Sequence, residues 1–180
     1  NPDVLTKALK DVLTAQKTQL TDQEAGTILT GLQEEMKGKR QESMKVLGEK
    51  NKSEGEAFLA ENMKKEGVKS LPSGLQYKVI NEGKGKSPSA TDTVTVQYTG
   101  RLVDGTEFDS SYKRGEAATF ALNGVIKGWT EALQLMKEGS KWQLYLPSNL
   151  AYGETGTVGG PIGPNAALIF DVELVSLQSK

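Results

Sequence analysis

The spacing of apolar residues changes part-way along the chain. Up to about residue 70 they recur at helical intervals, and beyond it they alternate. Leu5, Ala8, Leu9, Val12 and Leu13 share one helical face behind Asn1-Pro2, a start signal, so a short amphipathic helix is expected to end near Gln19. Thr21 and Glu24 stand in the capping-box relation, with Leu20 and Ala25 placed as a staple, and a second helix starts there. Its apolar stripe is Ile28, Leu29, Leu32 and Met36. Beyond Met36 the chain stays rich in helix formers but loses its apolar face, closing at Lys64, Lys65 and a Gly67 suited to the position after the helix. Helical throughout, residues 22 to 66 would extend ~65 Å. A helix polar all round gains little from burial and bridges bodies through solvent, so this one reads as a stalk. Each internal glycine weakens it by ~1 kcal/mol, which makes Gly48 to Gly55 the place for bending or fraying; two shorter helices with a disordered link are the alternative.

After the turn Pro72 to Gly74, Leu75, Tyr77 and Val79 alternate with Gln76 and Lys78, and "TVTVQYTGRLV" alternates again before an Asp104-Gly105 hairpin turn. "VIKGWTEALQLMKEG" is the one helical pattern of this half, with Trp129, Ala132, Leu133 and Met136 on one side and Gly139 as its stop. "KWQLYLP" and "ALIFDVELVSL" supply further strands. The fold class is α+β: an antiparallel sheet wrapped around a short helix, preceded by an all-helical region and a long connecting helix. The boundaries fall at residues 1–36 for an N-terminal helical dimerisation region, 37–70 for the connecting stalk and 71–180 for the sheet domain. Dimerisation follows because the N-terminal apolar faces are too few to fold alone; a small intramolecular helical hairpin is the competing reading.

Composition narrows the chemistry. The 180 residues carry 22 basic and 23 acidic side chains, with no basic cluster, which argues against nucleic acid as a partner. No apolar run approaches a transmembrane length. The chain has no Cys and no His, which removes thiol nucleophiles, imidazole bases and the usual zinc ligands, and no cofactor or metal is expected. The Asn1 start fits a removed signal peptide or a trimmed chain equally. "GETGTVGG" lacks the Lys-Ser/Thr ending and the helix of a phosphate loop, and Asp171 with Glu173 fits a solvated strand face better than a catalytic pair. Phe120, Trp142, Leu144 and Leu168 read as core, and by composition alone so do Trp129, Phe108 and Phe170.

The ordered motifs "VQYTGRLVDGTEFDSS", "VIKGWTEAL", "LAYGETG" and "ALIFDVELV" change that reading. Over residues 71 to 180 the chain closely resembles the FKBP-type peptidyl-prolyl cis-trans isomerases. The helical half, joined through "GEAFLAEN" and "LPSGLQYKVI", resembles the bacterial macrophage infectivity potentiator (Mip) branch, whose members are dimers with a long connecting helix. The resemblance implies an apolar pocket of Tyr98, Phe108, Val125, Ile126, Trp129, Tyr152, Ile162 and Phe170, with Trp129 at its floor. It implies Asp109 at the rim, paired with Arg114 and Tyr98, and assigns Asp109 and Tyr152 to catalysis. Ala118 stands where many members have an aromatic residue, and the loop after Tyr152 is one residue longer than in small single-domain members, with Thr157 where some carry histidine.

The implied activity is isomerisation of X-Pro bonds in polypeptides, with folding-helper activity and a surface or virulence role. The implied ligands are proline-containing segments and macrocycles of the FK506 and rapamycin type. The implied location is the periplasm, outer membrane or cell surface after export. The glycine-rich loop from Gly153 to Pro164 would overhang the pocket as a substrate-contacting flap. The alternative is a chaperone or adhesin that holds proline segments without important turnover, distinguished by an X-Pro turnover assay; a purely structural spacer leaves the pocket unexplained.

Overall fold

The computed structural model describes residues 22–178 and the single position Lys10. The amphipathic helix expected before Gln19 and the Leu20-Thr21 start signal lie outside the described residues. The chain divides into two compact units, Asn1–Ser43 and Met44–Lys180. Helix α1 spans Asp22–Asn62. In the first unit its stripe of Ile28, Leu29, Leu32 and Met36 is 50–63% exposed, so this apolar face has no cover within the described chain.

The second unit is built on seven antiparallel strands. They are β1 (Val68–Ser70), β2 (Gln76–Asn81), β3 (Thr93–Leu102), β4 (Glu107–Ser110), β5 (Ala118–Ala121), β6 (Lys141–Leu146) and β7 (Leu168–Gln178). The sheet order is β1-β2-β6-β7-β3-β4, and β5 also pairs with β3, beside its first half. Alternation does what the sequence implies: Leu168, Phe170, Val172 and Leu174 of β7, with Val94, Val96 and Tyr98 of β3, turn inward and are buried. Helix α2 is one turn, Ser111–Arg114, and helix α3 is Lys127–Leu135. Trp129, Ala132, Leu133 and Met136 of the α3 segment close the core against the sheet.

Three expectations need correction. Helix α3 ends at Leu135 with Met136 as its cap in extended backbone (ψ 148°); Gly139 instead serves a separate turn in which Ser140 N–H donates to the Lys137 carbonyl. Helix α1 ends at Asn62, five residues before Gly67. The segment after Met44 is also no free stalk. Gly48, Asn51, Gly55, Phe58 and Asn62 fall on one helical stripe, and this stripe lies against the sheet domain. A Cβ on Gly55 would sit 2.9 Å from Ala167 Cβ, and one on Gly48 3.3 Å from Asn165 Nδ2. These glycines mark close approach, where a hydropathy pattern sees only weakness. Polar groups hold the rest: Asn62 Nδ2 donates to Gln76 Oε1 at 3.0 Å, Gln76 Nε2 to the Leu59 carbonyl at 2.9 Å, and the Phe58 ring packs 6.0 Å from Tyr145.

Candidate functional site

A cavity of about 340 Å³ opens at the end of the sheet where β3, β4 and β7 meet the start of α3. Its wall is Tyr98, Phe108, Asp109, Phe120, Gly124, Val125, Ile126, Trp129, Tyr152 and Phe170. Trp129 is 4% exposed and its ring stands edge-on to Tyr98, Phe170 and Phe120, with centroids 5.1, 5.2 and 6.0 Å away. Such perpendicular packing is the favoured arrangement of aromatic quadrupoles and fixes the floor rigidly.

Local backbone chemistry puts the wall together. Phe170 of β7 and Asp109 of β4 both pair with Gly100 of β3. Gly100 has no side chain for a reason: a Cβ there would lie 2.6 Å from the Phe108 ring and 2.8 Å from Phe170. Neighbours on a regular strand face opposite sides, yet Phe108 and Asp109 line the same cavity. The register shift opposite Gly100 and Arg101, which pairs Arg101 with Glu107, leaves Phe108 as the extra residue of a bulge and releases the alternation.

The polar rim is assembled by α2. Ser110 Oγ accepts from the Lys113 N–H at its start, and left-handed Gly115 ends it after one turn. Arg114 is thereby carried back over the Tyr98 ring, its guanidinium carbon 5.4 Å from the centroid. Arg114 Nη1 donates to Asp109 Oδ1, Tyr98 Oη donates to Asp109 Oδ2, and Arg114 Nη2 donates to Tyr98 Oη at 2.9 Å. The three side chains form a closed ring of bonds in which the carboxylate has no freedom to turn away. Burial, and then the hydrogen bond to Asp109, push the Tyr98 phenol above its usual value; the Arg114 guanidinium is raised by its bonds to Tyr98 and Asp109. Tyr152, 40% exposed, is also raised, by burial first and then by the Asp109 charge. Both phenols therefore keep their protons at neutral pH and remain donors.

Of the residues singled out from sequence, Tyr98, Phe108, Asp109, Val125, Ile126, Trp129, Tyr152 and Phe170 line this one cavity, and Arg114 braces its rim. Ile162 is not among these wall residues: it is 4% exposed, joins the core beside them, and closes the loop through its carbonyl, which accepts from Thr157 N–H at 2.9 Å. Phe120, read as core from sequence, is on the wall. Its signal was available, since β5 alternation puts it on the same side as Ala118, two residues earlier. Among the described residues no group of three or more acidic side chains is placed to hold a metal ion.

Comparison with known proteins agrees with this geometry. Residues 84–175 match the model of the family described as FKBP-type peptidyl-prolyl cis-trans isomerase, and residues 1–79 match that described as the domain amino terminal to it. The chain is 49% identical to the outer membrane protein MIP of Legionella longbeachae, over 99% of this chain and 76% of that protein. It is 48% identical to a probable FKBP-type isomerase, FkpA, of Neisseria meningitidis, over 97% of this chain and 64% of that one. The crystal structure of FkpA from Escherichia coli superposes with a TM-score of 0.81 at 40% identity, covering 99% of this chain and 82% of the other.

Proposed function

The chain belongs to the FKBP-type peptidyl-prolyl cis-trans isomerases, and we propose that its aromatic cavity is the place where X-Pro bonds turn. Rotation meets a barrier of ~18–20 kcal/mol because amide resonance is lost, whereas cis and trans X-Pro differ by only ~0.5–1 kcal/mol. No bond breaks, so a site without His or Cys is sufficient. The planar amide spreads charge onto oxygen and is well solvated by water; the twisted amide is less polar. A wall of Tyr98, Phe108, Trp129 and Phe170 favours the twisted form over the planar one, which is differential binding of the transition state.

The polar groups have limited tasks. Tyr152 donates its hydroxyl to a substrate carbonyl, the Ile126 N–H at the start of α3 holds the chain beyond proline, and Asp109, fixed by Arg114 and Tyr98, orients the turning amide. The observation that carries this reading is the closed Asp109-Tyr98-Arg114 ring on the rim of an otherwise aromatic cavity. Exchange of an X-Pro peptide, followed by magnetisation transfer, tests it: Asp109→Ala and Tyr152→Phe lower turnover in folded protein, and unchanged turnover in both would remove the assignment.

FK506-type macrocycles fit the same apolar wall and compete with the peptide. The isomerase cavity is built within residues 71–180 and residues 1–36 are the dimerisation region; the chain between them supplies the docked part of α1 and strand β1. The exposed stripe Ile28, Leu29, Leu32 and Met36 supports pairing with a second copy of the chain. Export to the periplasm or surface, with folding clients there, is supported by the outer-membrane name of the Legionella relative. Among the described residues no helix is long and apolar enough to cross a membrane.

A further inference from the structure

We infer that Asn51, on helix α1 and outside the cavity, is a positioning residue for Tyr152. The inference rests on the role assigned above to the Tyr152 hydroxyl. The loop from Tyr152 to Ala166 lies over no regular strand pair, and its base is fastened at few points. Gly153 N–H donates to the Ser148 carbonyl at 2.8 Å, and Asn165 N–H donates to the Gly153 carbonyl at 2.9 Å. The second bond ties the residue next to Tyr152 to Asn165, the one non-glycine position among the described residues with a left-handed backbone (φ 55°). Asparagine tolerates that conformation better than most residues, but it still has to be held there.

What holds it is α1. Asn51 Nδ2 donates to the Pro164 carbonyl at 2.8 Å, and Asn165 Nδ2 reaches the Gly48 carbonyl at 3.4 Å. Gly48 sits flush against both: a Cβ on it would be 3.3 Å from Asn165 Nδ2 and 3.4 Å from Pro164. On the residue before Pro164, a Cβ on Gly163 would meet Asn51 Nδ2 at 3.0 Å and Leu47 at 3.3 Å. A continuous chain of contacts therefore runs from the Asn51 amide through Pro164 and Asn165 to Gly153, and so to the backbone of Tyr152. Tyr152 is 40% exposed, so packing alone fixes it weakly and the direction of its ring depends on that backbone. Releasing the Asn51 bond frees Pro164 and Asn165 to relax, loosens the Gly153 clasp and lets the hydroxyl swing.

The test is a double-mutant cycle on the full chain. Asn51→Ala removes the donor and leaves a residue of higher helix propensity, so α1 itself is not weakened. We expect Asn51→Ala to lower kcat by about three- to tenfold on an X-Pro peptide with KM little changed, and to have no further effect when made on top of Tyr152→Phe. Hydrogen exchange at the Asn165 amide should quicken by about tenfold in Asn51→Ala, while amides in the middle of β3 keep wild-type protection. Equal losses in both backgrounds would show a general structural effect and overturn the inference, as would unchanged turnover with unchanged exchange at Asn165. Tyr152→Phe with full turnover would instead sink the role of the hydroxyl, and the exchange measurement would then decide by itself whether α1 braces the loop. Quickened exchange with unchanged turnover, in a chain where Tyr152→Phe is impaired, also overturns it.

Discussion

Gly100→Ala tests whether the cavity is shaped by a missing side chain. The new methyl carbon would start 2.6 Å from the edge of the Phe108 ring and 2.8 Å from Phe170. Carbon atoms settle at about 3.5–4.0 Å, so each ring must retreat by roughly 1 Å. The two rings already meet edge-on at 5.6 Å, and Phe170 in turn abuts Trp129 at 5.2 Å, so the displacement runs into the floor of the cavity. Overpacking of this kind costs about 1–3 kcal/mol, which for a domain of this size lowers Tm by about 3–12 °C. A misplacement near 1 Å in a site that works by shape lowers kcat/KM by roughly ten- to a hundredfold. Differential scanning calorimetry and peptide exchange read the two effects separately. Adding Phe108→Leu, which removes the ring edge, should restore part of the lost stability, so the pair costs less than the sum of the singles. Wild-type Tm and wild-type turnover in Gly100→Ala would refute the packing argument outright.

Four further outcomes are expected of the same fold. Trp129→Ala removes a ring with three edge-on partners and should cost about 3–5 kcal/mol by chemical denaturation, together with nearly all turnover. A fragment of residues 71–180 should fold and turn over peptide, but be less stable than 44–180 by about 4 kcal/mol, since it forgoes four hydrogen bonds to α1 at about 1 kcal/mol each, besides the short β1–β2 pairing; equal stability would show that these contacts contribute nothing. The Tyr98, Tyr145 and Tyr152 phenols are all raised above 10.0, so the folded state holds protons that the unfolded state releases. Their contribution is complete below about pH 10 and is lost as pH rises through the folded values, which a denaturation series from pH 8 to 12 should show as a falling midpoint. Leu32→Glu should yield monomers in sedimentation that retain small-peptide turnover, and a dimer unaffected by the charge would exclude this stripe as the contact.

Much of the architecture was legible because the determinants are local. Alternation along "TVTVQY" and "LIFDVEL" identifies the inward residues of β3 and β7, and the Trp129-Ala132-Leu133-Met136 spacing identifies the buried side of α3. The wall residues were found through ordered motifs, since nothing in composition separates Trp129 from an ordinary core tryptophan. What escaped was set by contacts between distant segments. The docked face of α1 has glycines and asparagines where a hydropathy pattern looks for leucines, and its partners Gln76, Pro164 and Ala167 come from two separate stretches of the chain. Phe120 reads as core by composition, and only its alternation with Ala118 along β5 points it to the wall.

The position of β7 bears on how the protein comes into being. This strand is the last among the described residues, yet it lies between β6 and β3, in the interior of the sheet, and pairs with β3 from Thr93 to Leu102. A growing polypeptide that has not released Leu168–Gln178 has two open edges, one on β3 and one on β6, and lacks Phe170 from its cavity wall. Its most extensive pairing joins segments some seventy residues apart, a topology that folds slowly because a long loop must close before any contact rewards it. Open edges are templates for pairing with other chains, so the incomplete molecule is prone to association until the final strand is inserted. The cavity is thus completed by β7, whose Phe170 closes its wall and whose two ladders join β6 to β3.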